Sequence, residues 1–151
     1  MSGVALDFKV IENGVAKVGE VLLNRLQNHE DFLYVVGATM EASIQRNFEE
    51  EGRPKKWDSL SPETLKNKPN TKILQVKGHG GGLLGSIHFE VMPNSVQIGT
   101  NKIYAAIHQF GGQAGRGHKI TIPAREYLLV QDEDWREIRQ LGTEFFTGDI
   151  R

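Results

Sequence analysis

Apolar residues recur every three or four positions in three stretches of the chain, a spacing that predicts amphipathic helices. Over residues 14–28 the stripe is Val15, Val18, Leu22 and Leu26. Over about 31–51 it is Leu33, Val36, Met40, Ile44 and Phe48. Over 132–146 it is Trp135, Ile138, Leu141 and Phe145. A short polar joint separates the first two helices, so we expect them to form an antiparallel pair.

The apolar period shortens towards two in the middle of the chain, which predicts strands. The apolar positions are Ile87, Phe89 and Val91, then Val96 and Ile98, then Ile120 and Ile122. Pro123 closes the last of these strands, and residues 73–77 are a candidate for a fourth. The elements predict one α+β domain of 151 residues, with an N-terminal helix pair, a small antiparallel sheet of three or four strands, and a C-terminal helix.

Residues 53–72 form a basic connection with three prolines after the second helix. Gly52 and Pro54 are the stop signals of that helix, and a short helical turn is expected near 62–66. Trp57 is the largest apolar side chain of the connection. We expect it to dock on the helices and to hold the loop in place.

Composition narrows the chemistry that the chain can perform. It has 18 Lys+Arg against 19 Asp+Glu, a net charge of −1, whereas dedicated nucleic-acid binders usually have a strong basic excess. It has no cysteine, which excludes disulfides, thiolate metal sites and cysteine nucleophiles. No apolar run approaches the roughly 20 residues of a membrane span, and no secretory signal is visible. We therefore expect a soluble, intracellular protein.

Two glycine-rich segments resemble nucleotide-binding loops but lack the required context. Residues 77–86 contain G-x-G-x-x-G, yet a strand pattern follows where pyrophosphate binding needs a helix. They also contain H-G-G-G, without the G-x-S-x-G elbow of the esterases that use that motif. Residues 111–119 nearly match a P-loop, with His118 in place of lysine and a strand after it. We expect no nucleotide cofactor.

Candidate catalytic and metal-binding residues are also weak. No histidine pair has the i, i+4 spacing of H-E-x-x-H, and no serine stands in a recognisable nucleophile context. No carboxylate pair lies in apolar surroundings that would raise one pKa. His108 lies in an apolar stretch, and we expect a hydrogen-bonded core or interface residue there. The sequence predicts no metal, no cofactor and no enzymatic activity.

The most distinctive stretch is 104–128. Its motif residues are Tyr104, His108, Gln109, Phe110, Gly111, Gly112, Pro123 and Arg125. An F…P…W…L…T pattern around Trp57, G-x-L-x-x-S-I at 81–87 and I-G-T-N at 98–101 accompany them. The combination resembles the phage virion morphogenesis family, the tail-completion proteins of Mu-like and P2-like phages, over about residues 15–145. One departure is Glu126-Tyr127, where the family usually has Pro-Phe.

The resemblance implies a non-enzymatic structural protein that acts in tail completion and head–tail joining. It implies a ring of identical subunits, expected to be hexameric, that contacts head-neck or tail-tube proteins. It also implies a place in the virion and, during assembly, in the host bacterial cytoplasm. We expect at most non-specific contact with DNA and none with a membrane.

The chemistry of residues 104–128 is consistent with an assembly role. Tyr104, Ile107 and Phe110 fall at helical spacing, so a short helix could bury all three before the glycine pair ends it. Residues 112–118 contain too little apolar surface to offset the cost of ordering, so we expect them to be mobile between flanks fixed in the core, and to order on assembly.

Three basic side chains are candidates for contacts between subunits. Arg116 and Lys119 could pair with acids of a neighbour once the loop is ordered. Arg125 carries a planar head with several donors, which could bridge a neighbour's carboxylate or carbonyl, or form a salt bridge inside its own subunit. The alternative function is a small nucleic-acid-binding module that uses the basic loops 53–72 and 112–119, although stacking aromatic residues are not interleaved with the basic residues as single-strand platforms require.

Overall fold

The computed structural model of the protein describes residues 14–76 and 82–148. Its helices are α1 (Val15–Gln27), α2 (Glu30–Glu49), α3 (Pro62–Asn67), α4 (Ala105–Phe110) and α5 (Asp132–Thr147), with a 3-10 turn at Leu84–Ser86. Its strands are β1 (His88–Met92), β2 (Ser95–Gly99), β3 (Gly112–Ala114) and β4 (Ile120–Ile122). The predicted α+β class is confirmed, as are the helical turn after residue 61 and the three long helices.

The strands form two separate antiparallel hairpins and not the single sheet that the sequence predicts. In one, Val91 of β1 lies opposite Val96 of β2, and in the other, Gln113 of β3 lies opposite Thr121 of β4. Residues 73–76, predicted as part of a fourth strand, belong to neither sheet, and residue 77 lies outside the described residues. The prediction of a single sheet of three or four strands was therefore wrong. Alternating apolar residues indicate that a segment has one buried side, but they do not indicate which other segment pairs with it.

Helix α2 is the centre of the packing and contacts α5, β1 and β2. Its predicted stripe is buried at Met40, Ile44 and Phe48. Around the last two lie the other members of the core: Leu83, Ile87, Ala105 and Tyr127. Trp57 packs edge-on against Phe48 with ring centroids 5.6 Å apart, which confirms that this tryptophan docks on the helices. The loop after α2 is thereby attached to the core.

A buried polar network joins α2 to the start of α5. Ser43 Oγ donates to Asp134 Oδ1 at 2.5 Å, and Gln131 N donates to Asp134 Oδ2 at 2.7 Å. Asn47 Nδ2 donates to Tyr127 O at 2.9 Å. Since an unpaired buried polar group costs about 1–3 kcal/mol, these bonds fix the position of α5 and of the segment before it on α2.

The outer helices are less buried than their apolar stripes predict. No residue of α1 is buried, and Val15 and Leu26 are exposed, although α1 packs against α5. Arg25 Nη1 donates to Phe145 O at 2.9 Å and ties the two helices together. Trp135 is exposed on α5. Among the described residues, no helix combines the length and the apolar character that crossing a membrane requires.

Candidate functional site

Helix α4 is fixed to residues 125–128 by hydrogen bonds to its polar side. Gln109 Oε1 accepts from Tyr127 N at 3.1 Å and from Leu128 N at 3.0 Å, and Gln109 Nε2 donates to Leu128 O at 3.1 Å. Arg125 N donates to His108 O at 2.7 Å. Tyr127 Oη donates to Ala105 O at 3.1 Å, and its buried ring keeps the aromatic anchor that the sequence predicts.

Arg125 is buried, with 5% of its surface exposed, and binds its own chain. Its Nε and Nη2 donate to Asp58 O at 3.2 and 3.0 Å, and Nη2 donates to Ser59 O at 3.4 Å. Burial lowers the pKa of Arg125, and the Asp58 carboxylate opposes that shift. The sequence left two roles open for Arg125, a contact with a neighbouring subunit or a salt bridge inside its own. The structure places its partners inside the subunit, but these partners are backbone carbonyls and not a carboxylate.

Gly111 is required where α4 turns into β3. Its φ is 73°, and a Cβ built on it would lie 2.8 Å from Ala124 N and 3.0 Å from Ile122 O. Other residues avoid that backbone region and have no space for a side chain here. The glycine thus ends α4 and lets β3 start at Gly112, while Pro123 directly follows β4.

The outward face of α4 is apolar and exposed, contrary to the sequence prediction. Ile103 is 99% exposed and Phe110 is 78% exposed. Ile103 lies two residues before α4, and Phe110 and the half-buried Ile107 are three residues apart on one side of the helix. We call these three residues the apolar stripe of α4. Tyr104 is also exposed.

The burial prediction for α4 was wrong because polar residues occupy the side that faces the core. A helix of six residues can bury one side, and here that side carries Ala105, His108 and Gln109. The backbone groups of the neighbouring segment need hydrogen-bond partners once they are buried. Gln109 can supply them and phenylalanine cannot, so the aromatic residue is left outside.

Strands β3 and β4 form a hairpin whose turn is closed by a hydrogen bond from His118 N to Gly115 O at 3.1 Å. The prediction that residues 112–118 stay unordered before assembly was wrong for Gly112–Ala114, which pair with β4 in the single chain. Ile120 is exposed and not fixed in the core as expected. Arg116 and Lys119 lie exposed at the tip of the hairpin.

His108 has a buried nitrogen, Nδ1, without a hydrogen-bond partner in the part of the chain that the structure describes. The prediction of a hydrogen-bonded histidine was therefore wrong for this atom. Burial lowers the pKa of His108, and the positive charge of Arg125 lowers it further. The ring lies edge-on to Tyr104, with centroids 6.0 Å apart.

The basic loop 53–72 is partly neutralised by the chain itself. Arg53 is buried and forms an ion pair with Glu133. Lys56 Nζ lies 3.8 Å from a carboxylate oxygen of Glu50. Burial lowers the pKa of Lys68, with Glu51 opposing and Arg125 adding to the effect. Charges committed in this way weaken the case for nucleic-acid binding by this loop.

Some features of the site could not be found from sequence, and others lie outside the described residues. Ile103 belongs to no sequence motif, and only its exposure in the structure identifies it as part of the apolar stripe. Residues 77–81 lie outside the described residues, and they include His79 and Gly80 of the glycine-rich motifs at 77–86 and Gly81 of G-x-L-x-x-S-I. In residues 14–76 and 82–148, no group of three or more His, Asp or Glu is placed to hold a metal ion.

Comparison with known proteins identifies relatives of the whole domain. The phage virion morphogenesis family matches residues 7–146. The Mu-like prophage FluMu G protein 2 of Haemophilus influenzae is 39% identical over 111 residues, which cover 74% of this chain and 73% of that protein. The putative capsid assembly protein G of Escherichia phage Mu is 28% identical over 141 residues, covering 89% of this chain and 87% of that protein. No solved structure gives a significant match.

Proposed function

Because the chain belongs to the phage virion morphogenesis family, we propose that it is a structural protein of the virion that acts in tail completion and head–tail joining. It works there as a ring of identical subunits, expected to be hexameric, that contacts head-neck or tail-tube proteins. Assembly takes place in the host bacterial cytoplasm. The name of the phage Mu relative, a putative capsid assembly protein, supports a part in building the particle.

The apolar stripe of α4 is the observation that carries this proposal. Large apolar side chains that are nearly fully exposed, as Ile103 and Phe110 are, indicate a surface that another protein covers. Covering one such side chain completely contributes about 1.5–3 kcal/mol. The two together therefore supply a large part of the energy that holds neighbouring subunits together.

The way in which α4 is attached to the core also supports a role of the apolar stripe in subunit contacts. Gln109 and Tyr127 fix α4 to the core without using its outer face, so the stripe is presented on a rigid element. A surface that keeps its shape loses little conformational entropy when it binds. The β3–β4 hairpin follows directly in the chain and offers Arg116 and Lys119 for charged contacts beside the apolar one.

Deletion of the gene from its phage tests the proposed function. We expect filled heads with unjoined or malformed tails in electron micrographs, and no metabolic defect in the host. Infectious particles of normal number and shape from the deletion strain would end this proposal.

Complementation with variants tests the stripe itself. Phe110→Ser should leave the thermal stability of the purified protein unchanged and should fail to restore particles, because the side chain contributes to binding and not to folding. Phe110→Leu is the matched control, since it keeps an apolar side chain at the same exposed position and should restore particles. Restoration of particles by Phe110→Ser would show that the stripe is not a subunit contact.

A further inference from the structure

A groove of about 510 Å³ lies beside β4 and is not part of the apolar stripe. Its lining includes two continuous stretches of the chain, residues 120–123 and residues 74–76, together with Tyr104 and His108. Its volume is within the roughly 300–1,000 Å³ of clefts that hold ligands. The most deeply buried of its lining side chains include Arg125.

The edge of β4 faces this groove. Four consecutive residues, 120–123, line it, whereas a strand that turned one face to it would contribute every second residue. Residues of β3 do not line it, so it lies on the side of β4 away from its partner. Among the described residues, β4 pairs with β3 only. An unpaired strand edge offers N–H and C=O groups to which an extended peptide can add as a further strand.

The groove also has a positive interior, in which the Asp58 carboxylate acts on Arg125 and the Glu51 carboxylate acts on Lys68 without an ion pair among the described residues. Among the described residues no carboxylate lies within ion-pair distance of Arg125, whose contacts are backbone carbonyls. Lys68 lines the groove and adds a second positive charge. His108 also lines the groove, and its Nδ1 is a buried atom without a hydrogen-bond partner among the described residues. A carboxylate placed in the groove would partly neutralise the positive charges of Arg125 and Lys68.

The rim of the groove is apolar, so a ligand with a carboxylate should also carry apolar groups. Tyr104, Val76 and Ile120 line the groove and are exposed. Apolar side chains on both sides of the carboxylate would cover them. Nucleic acid does not match this combination, because its phosphates would meet the apolar rim as well as the positive interior.

We propose that this groove binds an extended peptide segment of a different protein of the particle, in which one Asp or Glu is flanked by apolar residues. The segment adds to the edge of β4, its carboxylate faces Arg125, and its apolar neighbours pack on Tyr104 and Val76. The proposal rests on the proposed function for the origin of the partner. It assigns that partner to the groove and leaves the apolar stripe to copies of this chain.

Peptide arrays test the proposal on the purified full chain. The probes are overlapping peptides that cover the virion proteins encoded by the same phage. Bound peptides should share an acidic residue with apolar neighbours. Replacing that acid by its amide should weaken binding about tenfold, because a charge-assisted contact is lost. Methylation of alternate backbone nitrogens in a bound peptide should also abolish binding, because strand addition needs those N–H groups.

A pair of variants at one position locates the binding. Val76 is half exposed at the rim, so it can be replaced without opening the core. Val76→Glu should abolish binding of the acidic peptides and Val76→Lys should keep it, with equal melting temperatures for the two proteins. Equal peptide binding by the two variants, no peptide binding at all, or no effect of removing the acid overturns the proposal. A different result would also overturn the proposal: peptides that have no acidic residue bind, and a DNA oligonucleotide displaces them. The groove would then be a nucleic-acid site.

The outcomes for the groove and for the proposed function are separable. If the deletion strain lacks joined particles but no peptide on the array binds the protein, the proposed function stands and the groove proposal fails. If particles form without the gene, the proposed function fails, whatever the array shows.

Discussion

The side chain of Gln109 pairs with the backbone of Leu128 as a neighbouring strand would. Gln109 Nε2 donates to Leu128 O at 3.1 Å, and Gln109 Oε1 accepts from Leu128 N at 3.0 Å. The same oxygen accepts from Tyr127 N at 3.1 Å. One side chain therefore satisfies three backbone groups, and α4 stays in place although its apolar stripe faces outward.

Gln109→Glu should lower the free energy of unfolding by about 2–4 kcal/mol. The shape is kept, but a carboxylate oxygen replaces the donor and lies against Leu128 O. Urea unfolding measures the change. Gln113→Glu is the control, because Gln113 is exposed and its side chain bonds to the exposed Thr121, and it should change stability by less than about 0.5 kcal/mol. Equal effects at the two positions would contradict this role of the Gln109 side chain.

Gly37→Ala should destabilise the protein although alanine favours helix more than glycine. A Cβ on Gly37 would lie 2.2 Å from Cδ2 of Phe89, whose ring packs against Tyr34 with centroids 5.3 Å apart. The helix gains about 1 kcal/mol from alanine, whereas overpacking costs about 1–3 kcal/mol. We expect a net loss measured by thermal unfolding. Gly19→Ala on α1 is the control, because nothing lies within 4 Å of its Cβ position, and it should stabilise.

His108 should make the protein less stable as the pH falls below about 6.5, the ordinary pKa of histidine. Its pKa in the fold is lowered by burial and by Arg125. Between the two pKa values the unfolded chain therefore binds more protons, and stability is lost as the pH falls from the unfolded value through the folded one.

The comparison with His108→Gln isolates this effect. Melting temperatures at about pH 7.5 and about pH 5.5 bracket the ordinary histidine pKa. The wild-type protein should lose more stability between them than the variant, which cannot titrate at this position. Parallel loss in both proteins would mean that other groups cause the acid sensitivity.

Reversing the hairpin charges should separate folding from assembly. Arg116→Glu with Lys119→Glu alters two exposed side chains, so stability should change by less than about 0.5 kcal/mol. Particle formation should fail, because a neighbour's acids would meet like charge. Lys17→Glu with Arg46→Glu carries the same change in net charge on two other exposed residues and should assemble. Particles from the hairpin variant would exclude charged contacts at the tip.

The sequence by itself determined the long helices and the family. The stripe of α2 runs from Leu33 to Phe48 and is buried at Met40, Ile44 and Phe48, and only one helical face can bury such a pattern. Trp57 was placed correctly for a similar reason, because a large apolar side chain in a polar loop gains most by docking on the core. The motif at 104–128 indicated the family, since its residue types and order are specific.

Only the tertiary structure decided which side of α4 is buried, how the short strands pair, and what Arg125 binds. These choices depend on residues far apart in the chain, such as Asn47 and Tyr127, and no local period reports them. In a six-residue helix, three hydrogen bonds of Gln109 to buried backbone outweigh the burial of Phe110. Arg125, which was a candidate for a contact between subunits, therefore holds its own subunit together, and the motif residue Phe110 is left exposed.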